Sequence, residues 1–292
     1  MIFMAHPIAK LVGDAMNRIE RFDAEVLLAH CLQKPREFLL THPDFFVPWP
    51  EEFKFQNLVK KRSRGIPVAY LTGHKEFFGF DFLVNKHTLI PRPDTELLVE
   101  EAIKEIDTGE KKIFIDVGTG SGCIPIAILK SFKKTHPKTF LETYAVDISK
   151  KALAVAKKNA RKHFVDITFL CGDLLQPFFK ETIFLQTNHL ILTANLPYLT
   201  QKQFNEEPSI QHEPVSALVA EDQGLAFYKK LLEQIRLLQE NHAFEQATLF
   251  FEIDPSQSSL LSSHILSKFS TARVQVQSDL SGNERLLVTH LS

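Results

Sequence analysis

The chain is poor in the residues that crosslink a fold. Cysteine occurs three times in 292 residues, at Cys31, Cys123 and Cys171. The three are far apart and odd in number. No Cys-x-x-Cys, His-Glu-x-x-His or Cys/His cluster exists, so neither a disulfide framework nor a zinc site is indicated. Reduced thiols suit a cytoplasmic protein. Gly (11) and Pro (15) are too few for a collagen-like or low-complexity chain. No segment approaches the roughly 18 uninterrupted apolar residues of a membrane span. The opening MIFMAHPIAKLVGD lacks the apolar core of a signal peptide. Charge excess is missing too: 34 Lys+Arg stand against 35 Asp+Glu, a net of -1. That argues against a protein held to nucleic acid mainly by positive charge. A chain this long buries roughly 75% of its unfolded surface in one large domain or two smaller ones.

What is present is organised. The 25 Phe, beside 4 Tyr and 1 Trp, read as core packing. Residues 1–70 read as helical. Ala24, Val26, Leu27, Leu28 and Cys31 give 23–31 an apolar face. A helix over 51–62 starts on Glu51-Glu52 and ends on Lys60-Lys61-Arg62, which suits the helix dipole. Gly65, Pro67, Gly73 and Gly79 then punctuate short aromatic runs, the pattern of a β-hairpin or extended connector. Pro91 and Pro93 stop it, and Asp94 or Thr95 caps a helix carrying Leu97, Leu98, Ala102, Ile103 and Ile106. From residue 111 strands and helices alternate. Strands are expected over 112–117, 139–146, 167–170, 189–194 and 248–253, and helices over 124–132, 150–163 and 225–239. This alternation predicts an α/β, Rossmann-like domain: a mostly parallel sheet with helices on both faces. Strands at 272–277 and 285–290 have no helix between them and are expected to form an antiparallel edge hairpin.

Two motifs carry chemistry. Asp116-Val117-Gly118-Thr119-Gly120-Ser121-Gly122 joins a strand to a helix. Its spacing differs from the G-x-G-x-x-G dinucleotide fingerprint, and it lacks the lysine of a P-loop. An acid at the strand end repels phosphate and favours a cationic amine. S-adenosylmethionine (AdoMet) carries an ammonium and a sulfonium and fits that loop. Asp147 ends the next strand, where a carboxylate accepts from ribose hydroxyls. Asp173-Leu174 follows the third, where adenine would lie. The second motif is Asn195-Leu196-Pro197-Tyr198 at the end of a buried-type strand. The Asn195 carbonyl can accept one N–H of a planar amide or amine. A main-chain carbonyl, taken as that of Leu196, accepts the other. The nitrogen is thereby aimed at the methyl donor, and Tyr198 packs on the flat group. On these residues alone the substrate is an amide or an exocyclic amine, and the bland alternative is a structural turn.

Asp116 to Gly122, Asp147 and Asn195 to Tyr198 together resemble class I AdoMet-dependent methyltransferases that act on planar nitrogen. The segments 64–73, 89–96, 213–218 and 279–285 resemble the release-factor glutamine methyltransferases, the HemK/PrmC family, from about residue 20 onward. The resemblance implies a helical substrate-recognition domain (1–70), a β-hairpin linker (71–92) and a methyltransferase domain (93–292). It implies methylation of the N5 nitrogen of glutamine in the Gly-Gly-Gln motif of peptide release factors in the cytoplasm, with no metal, no membrane and no primary role for nucleic acid. Gly118, Thr119, Gly120, Ser121, Gly122, Asp147, Leu174 and Asn195 would line the AdoMet site. Asn195, Leu196, Pro197 and Tyr198 would hold the glutamine amide, with Asn195, Pro197 and Tyr198 as the catalytic set. The alternatives are a ribosomal-protein glutamine or an adenine amine. Two positions depart from the family pattern. Leu196 stands where Pro is commonest, and Asp254 stands where Gly is frequent. Cys123 reads as a buried small side chain, the lysines of 150–162 as a solvated helix face, and Arg92 to Glu96 as either a closing segment or a helix start.

Overall fold

Apolar residues at helical spacing give the N-terminal segment a core of its own. The computed structural model describes residues 5–106, 112–135, 141–179, 187 and 189–292, and the chain divides between His74 and Lys75. In the first unit, a short antiparallel pair of β1 (His6–Pro7) and β2 (Phe46–Val47) accompanies α1 (Ile8–Ala15), α2 (Arg21–Leu32), α3 (Arg36–Thr41), α4 (Trp49–Arg62) and α5 (Val68–Thr72). Leu11, Leu27, Leu28 and Phe55 are fully buried at its centre. The fourth helix begins two residues before the expected start, because Pro50 fits the first turn, where its missing N–H has no partner to lose.

The second unit begins within the hairpin of β3 (His74–Phe77) and β4 (Phe80–Leu83). Phe78 (φ 53°) and Gly79 (φ 72°) form its two-residue turn, a conformation that matches strand twist. Phe77 and Phe82 are buried among the helices of this unit. Asn159 fixes the hairpin's far strand: its Oδ1 accepts from Leu83 N at 2.8 Å, and its Nδ2 donates to the carbonyls of Leu83 and Ser121, both at 2.9 Å.

There follow α6 (Thr95–Ile106), β5 (Lys112–Val117), α7 (Cys123–Thr135), β6 (Glu142–Asp147), α8 (Lys150–His163), β7 (Thr168–Cys171), β8 (His189–Ala194), α9 (Gln201–Glu206), α10 (Ala226–Glu240), β9 (Gln246–Glu252), α11 (Ser258–Lys268), β10 (Arg273–Ser278) and β11 (Glu284–Leu291). Seven strands form one sheet in the order β10-β11-β9-β8-β5-β6-β7. The central pairs are parallel, and β11 runs antiparallel to both of its neighbours. The expected edge hairpin is thus present. The start of the expected 139–146 strand, residues 139 and 140, lies outside the described residues.

Strand alternation splits the core in two. Ile113, Ile115, Leu190, Leu192, Leu249 and Phe251 face Leu231, Ile235, Leu261 and Ile265 of α10 and α11. Phe114, Ile191 and Phe250 face Leu98, Ile126 and Ala160 of α6, α7 and α8. Both faces are covered, which is why these strands read as near-continuous apolar runs. The serine-rich α11 has no strong helical sequence signal; burial of Leu261 and Ile265 holds it.

In this order β5 has β6 on one side and β8 on the other, the point where chain direction across the sheet reverses. Such a switch point opens a crevice at the carboxyl ends of the strands.

Candidate active site

The loop after β5 turns through three left-handed glycines, Gly118 (φ 76°), Gly120 (φ 54°) and Gly122 (φ 79°). Residues with a Cβ rarely adopt this conformation. The N–H groups of Gly118 and Thr119 both donate to Val146 O, at 2.9 and 3.0 Å, which pins the loop to the end of β6. A Cβ on Gly118 would meet Leu196 Cδ2 at 2.9 Å, and one on Gly122 would meet Ala156 Cβ at 3.1 Å. Gly118 therefore gives room at the crevice, and Gly122 lets the loop pack on α8.

Asp147 faces the glycine loop. Its Oδ2 accepts from Gly120 N at 2.9 Å and its Oδ1 from Ser149 N at 2.8 Å. Burial raises its pKa, against the pull of those two backbone bonds. Each oxygen retains acceptor capacity for a further hydroxyl. Leu174, at φ 55°, closes the next strand end with its side chain buried.

A cavity of about 380 Å³ lies over these strand ends. That is within the usual range for a small-molecule site. Gly118, Thr119, Gly120, Ser121, Asp147, Leu174, Asn195, Leu196 and Pro197 all line it. Gly122 is beneath it, against Ala156. Tyr198 instead lines the adjoining groove, with Arg92, Asp94 and Gln203.

Asp116 is placed differently from expectation. It is fully buried and accepts from Thr193 Oγ1 at 2.7 Å. Burial pushes it up to about 6, while the Thr119 and Thr193 hydroxyls pull it down. It does not line the cavity, so it holds the loop's base rather than meeting a cationic ligand directly. Cys123 does line the cavity. Burial pushes its thiol up to about 12, which keeps it protonated and inert as a nucleophile.

The Asn195 turn is held from three sides. Asn195 Nδ2 donates to Thr95 Oγ1 at 3.1 Å. Tyr198 Oη donates to Glu252 Oε1 at 3.3 Å. Leu196 N donates to Tyr228 Oη at 3.3 Å, and Tyr228 in turn donates to the Glu252 carbonyl. Proline at 196 would lack that N–H, so the departure at Leu196 supplies a bond of its own. Asp254 is likewise at ease, with φ -72° and its carboxylate capping the short helix Pro255–Gln257.

Three further segments converge here. Arg92 pairs with Glu213, whose carboxylate also accepts from Ile90 N at 2.9 Å. Arg285 meets Asp94 at 3.6 Å and Asp279 at 3.2 Å. The segments 89–96, 213–218 and 279–285, distant in sequence, are thus joined by ion pairs around the start of α6. Thr95, Tyr228 and Glu252 were not singled out as site residues from sequence. They lie far apart in the sequence, on α6, α10 and β9, and only the fold brings them together.

Among the described residues no group of three His, Cys, Asp or Glu side chains is placed to hold a metal, and no helix is long and apolar enough to cross a membrane.

Residues 10–73 match the family described as PrmC N-terminal domain, and residues 108–221 match a methyltransferase domain family. The release factor glutamine methyltransferase of Bacillus anthracis is 32% identical over 272 residues, covering 91% of each chain. That of Nitratidesulfovibrio vulgaris is 35% identical over 291 residues, covering 95% of this chain and 92% of its own. Among solved structures, the hMettl16 catalytic domain in complex with MAT2A 3'UTR hairpin 6 superposes with a TM-score of 0.54 at 14% identity, over 91% of this chain and 92% of that one. This last likeness concerns the fold.

Proposed function

Since the chain belongs to the release factor glutamine methyltransferase family, we propose that its crevice binds AdoMet and presents one glutamine side-chain amide of a release factor to it. The protein is an AdoMet-dependent protein-(glutamine-N5) methyltransferase, and AdoMet supplies an electrophilic methyl group. The observation that carries the assignment of roles is the meeting of the glycine loop, Asp147 and the Asn195 turn around one cavity.

The residues present fit the cofactor. Asp147 sits at the cavity with one backbone donor on each oxygen, leaving acceptor sites for a vicinal diol. Gly118, Thr119, Gly120 and Ser121 would accommodate its amino-acid portion. Ile148 and Leu174 offer apolar walls to its flat base.

Asn195 carries the substrate side. One N–H of its NH2 is donated to Thr95, which fixes the amide's direction, and its carbonyl oxygen, the side chain's acceptor, would take an N–H from the incoming amide. The Leu196 carbonyl would take the second N–H, and Tyr198, on the groove side, would pack on the amide plane. With both hydrogens held, the nitrogen is restricted to one approach. Orientation of this kind is worth about 7–11 kcal/mol in favourable cases. The amide nitrogen becomes acidic only as it gains the methyl, so a strong base is not required.

The balanced charge suits a small zwitterionic cofactor and a protein loop as substrate. Mass spectrometry of a release factor incubated with enzyme and AdoMet tests the reading. One added methyl on the Gly-Gly-Gln glutamine supports it; methyl found only on nucleic acid or on a ribosomal protein overturns it.

A further inference from the structure

Glu252 is an anomaly for a strand in the middle of a core. It ends β9, is 3% exposed and lines neither the cavity nor the adjoining groove. A buried carboxylate costs several kcal/mol unless it is well bonded. Nothing in the transfer chemistry calls on it directly.

Its neighbours are the holders of the Asn195 turn. Tyr198 donates to its Oε1 at 3.3 Å. Thr95, itself 2% exposed, lies on its other side. Thr95 Oγ1 is already the acceptor for Asn195 Nδ2, which leaves its own proton to turn toward the carboxylate, whose buried Oε2 has no other hydrogen-bond partner. The main chain adds a third link, from the Glu252 carbonyl through Tyr228 Oη to Leu196 N. One residue on β9 is therefore tied to Asn195, Leu196 and Tyr198, in two cases through a single intervening hydroxyl.

We infer that Glu252 is a positioning residue: as a carboxylate it accepts from Thr95 and Tyr198 together and so fixes the direction of the Asn195 amide and the Tyr198 ring. This rests on the assignment of Asn195 and Tyr198 to the substrate amide. An ionised carboxylate only accepts, so both hydroxyls must donate toward it. With its proton pointed away, Thr95 offers a lone pair to Asn195, which turns the Asn195 carbonyl to the substrate. A protonated carboxyl would itself donate, and this pattern would be lost. Glu252 is not a base for the reaction, since it lies behind Tyr198.

The charged and titratable groups around it are Asp94, Arg285, Tyr198, Tyr228 and Cys123. Burial and Asp94 raise Glu252 to about 7, while Thr95, Tyr198 and Arg285 pull it down. Turnover should accordingly fall as pH drops through about 7.

The test uses the full chain with Glu252→Gln, which keeps volume, and with Thr95→Val and Thr95→Ser. Steady-state methylation of a release factor is read with AdoMet affinity by calorimetry. The Asn195 side-chain NH2 signals are read by NMR, assigned by their loss in Asn195→Ala. Expected are a kcat lowered roughly 10- to 100-fold in Glu252→Gln and Thr95→Val, with AdoMet affinity held within about twofold. The double variant should be non-additive, Thr95→Ser should keep most activity, and the acid limb near pH 7 should vanish in Glu252→Gln. Wild-type kcat in Glu252→Gln, or a kcat loss matched by an equal loss of AdoMet affinity, would overturn the inference. The NMR arm separates this from the functional reading. If the wild type methylates no release factor, that reading fails, while Asn195 signals that move in Glu252→Gln still support the positioning role and unmoved signals refute it.

Discussion

Asn195 Nδ2 donates to Thr95 Oγ1 at 3.1 Å across 100 residues of sequence. The residue that follows β8 is thereby oriented by the first residue of α6. The side-chain amide has two faces of opposite hydrogen-bonding sense. With the donor side bonded inside the protein, the acceptor side is the one we propose meets the substrate amide.

The first prediction follows from that commitment. Asn195→Ala removes the acceptor and the anchor together. Methyl transfer should fall on the order of 100-fold or more, while AdoMet still binds, because the proposed Asp147 and glycine-loop contacts are untouched. Turnover and calorimetric binding on the same preparation check this. Unchanged turnover would refute the amide clamp.

Gly118 gives a prediction about the loop. At φ 76°, with Leu196 Cδ2 only 2.9 Å from the place of a Cβ, alanine meets both backbone strain and a clash. Gly118→Ala should cost about 1–3 kcal/mol of stability. It should also weaken AdoMet binding more than it alters the pH profile. Denaturant unfolding and calorimetry report the two effects separately.

The Arg92–Glu213 pair makes a third. The Glu213 side chain is fully buried and the Arg92 side chain 36% exposed. Arg92→Met leaves the carboxylate buried with Ile90 N as its remaining described donor. Removing one partner of such a pair costs on the order of 3 kcal/mol, reduced here by Arg92's access to water. Glu213→Gln keeps an acceptor for Ile90 and should cost less. Comparative unfolding of the two variants tests the ranking, and an equal or reversed order would count against it.

A fourth concerns pH and stability. Burial raises Glu252 to about 7 and Asp116 to about 6, above their ordinary carboxylate values of 4.5 and 3.8. The folded chain then binds protons more tightly than the unfolded chain at these two sites. Their contribution to unfolding free energy falls as pH rises through that window. Wild-type stability should thus decline from about pH 4 to pH 7 relative to Glu252→Gln and Asp116→Asn. Parallel curves for wild type and variants would contradict this.

Much of the fold was legible in the sequence, because strands buried on both faces read as near-continuous apolar runs. Ile113 to Val117 and Leu190 to Ala194 are such runs, and the glycine loop and Asn195 turn punctuate them. The serine-rich α11 was not legible, since its two core residues, Leu261 and Ile265, are what make it a helix. Asp116 misled in one respect: a strand-end acid looks available to a ligand, but Thr193 on the neighbouring strand takes it into the core. Thr95, Tyr228 and Glu252 form their network only by tertiary contact. Leu196 and Asp254 depart from the family pattern. The structure gives Leu196 a hydrogen bond that proline lacks and gives Asp254 a capping role.

The measurement closest to the central claim is methyl transfer from labelled AdoMet to an intact release factor, run beside a twin whose Gly-Gly-Gln glutamine is replaced. Label on the native factor and none on the twin is the predicted result. Equal labelling of both would contradict the account.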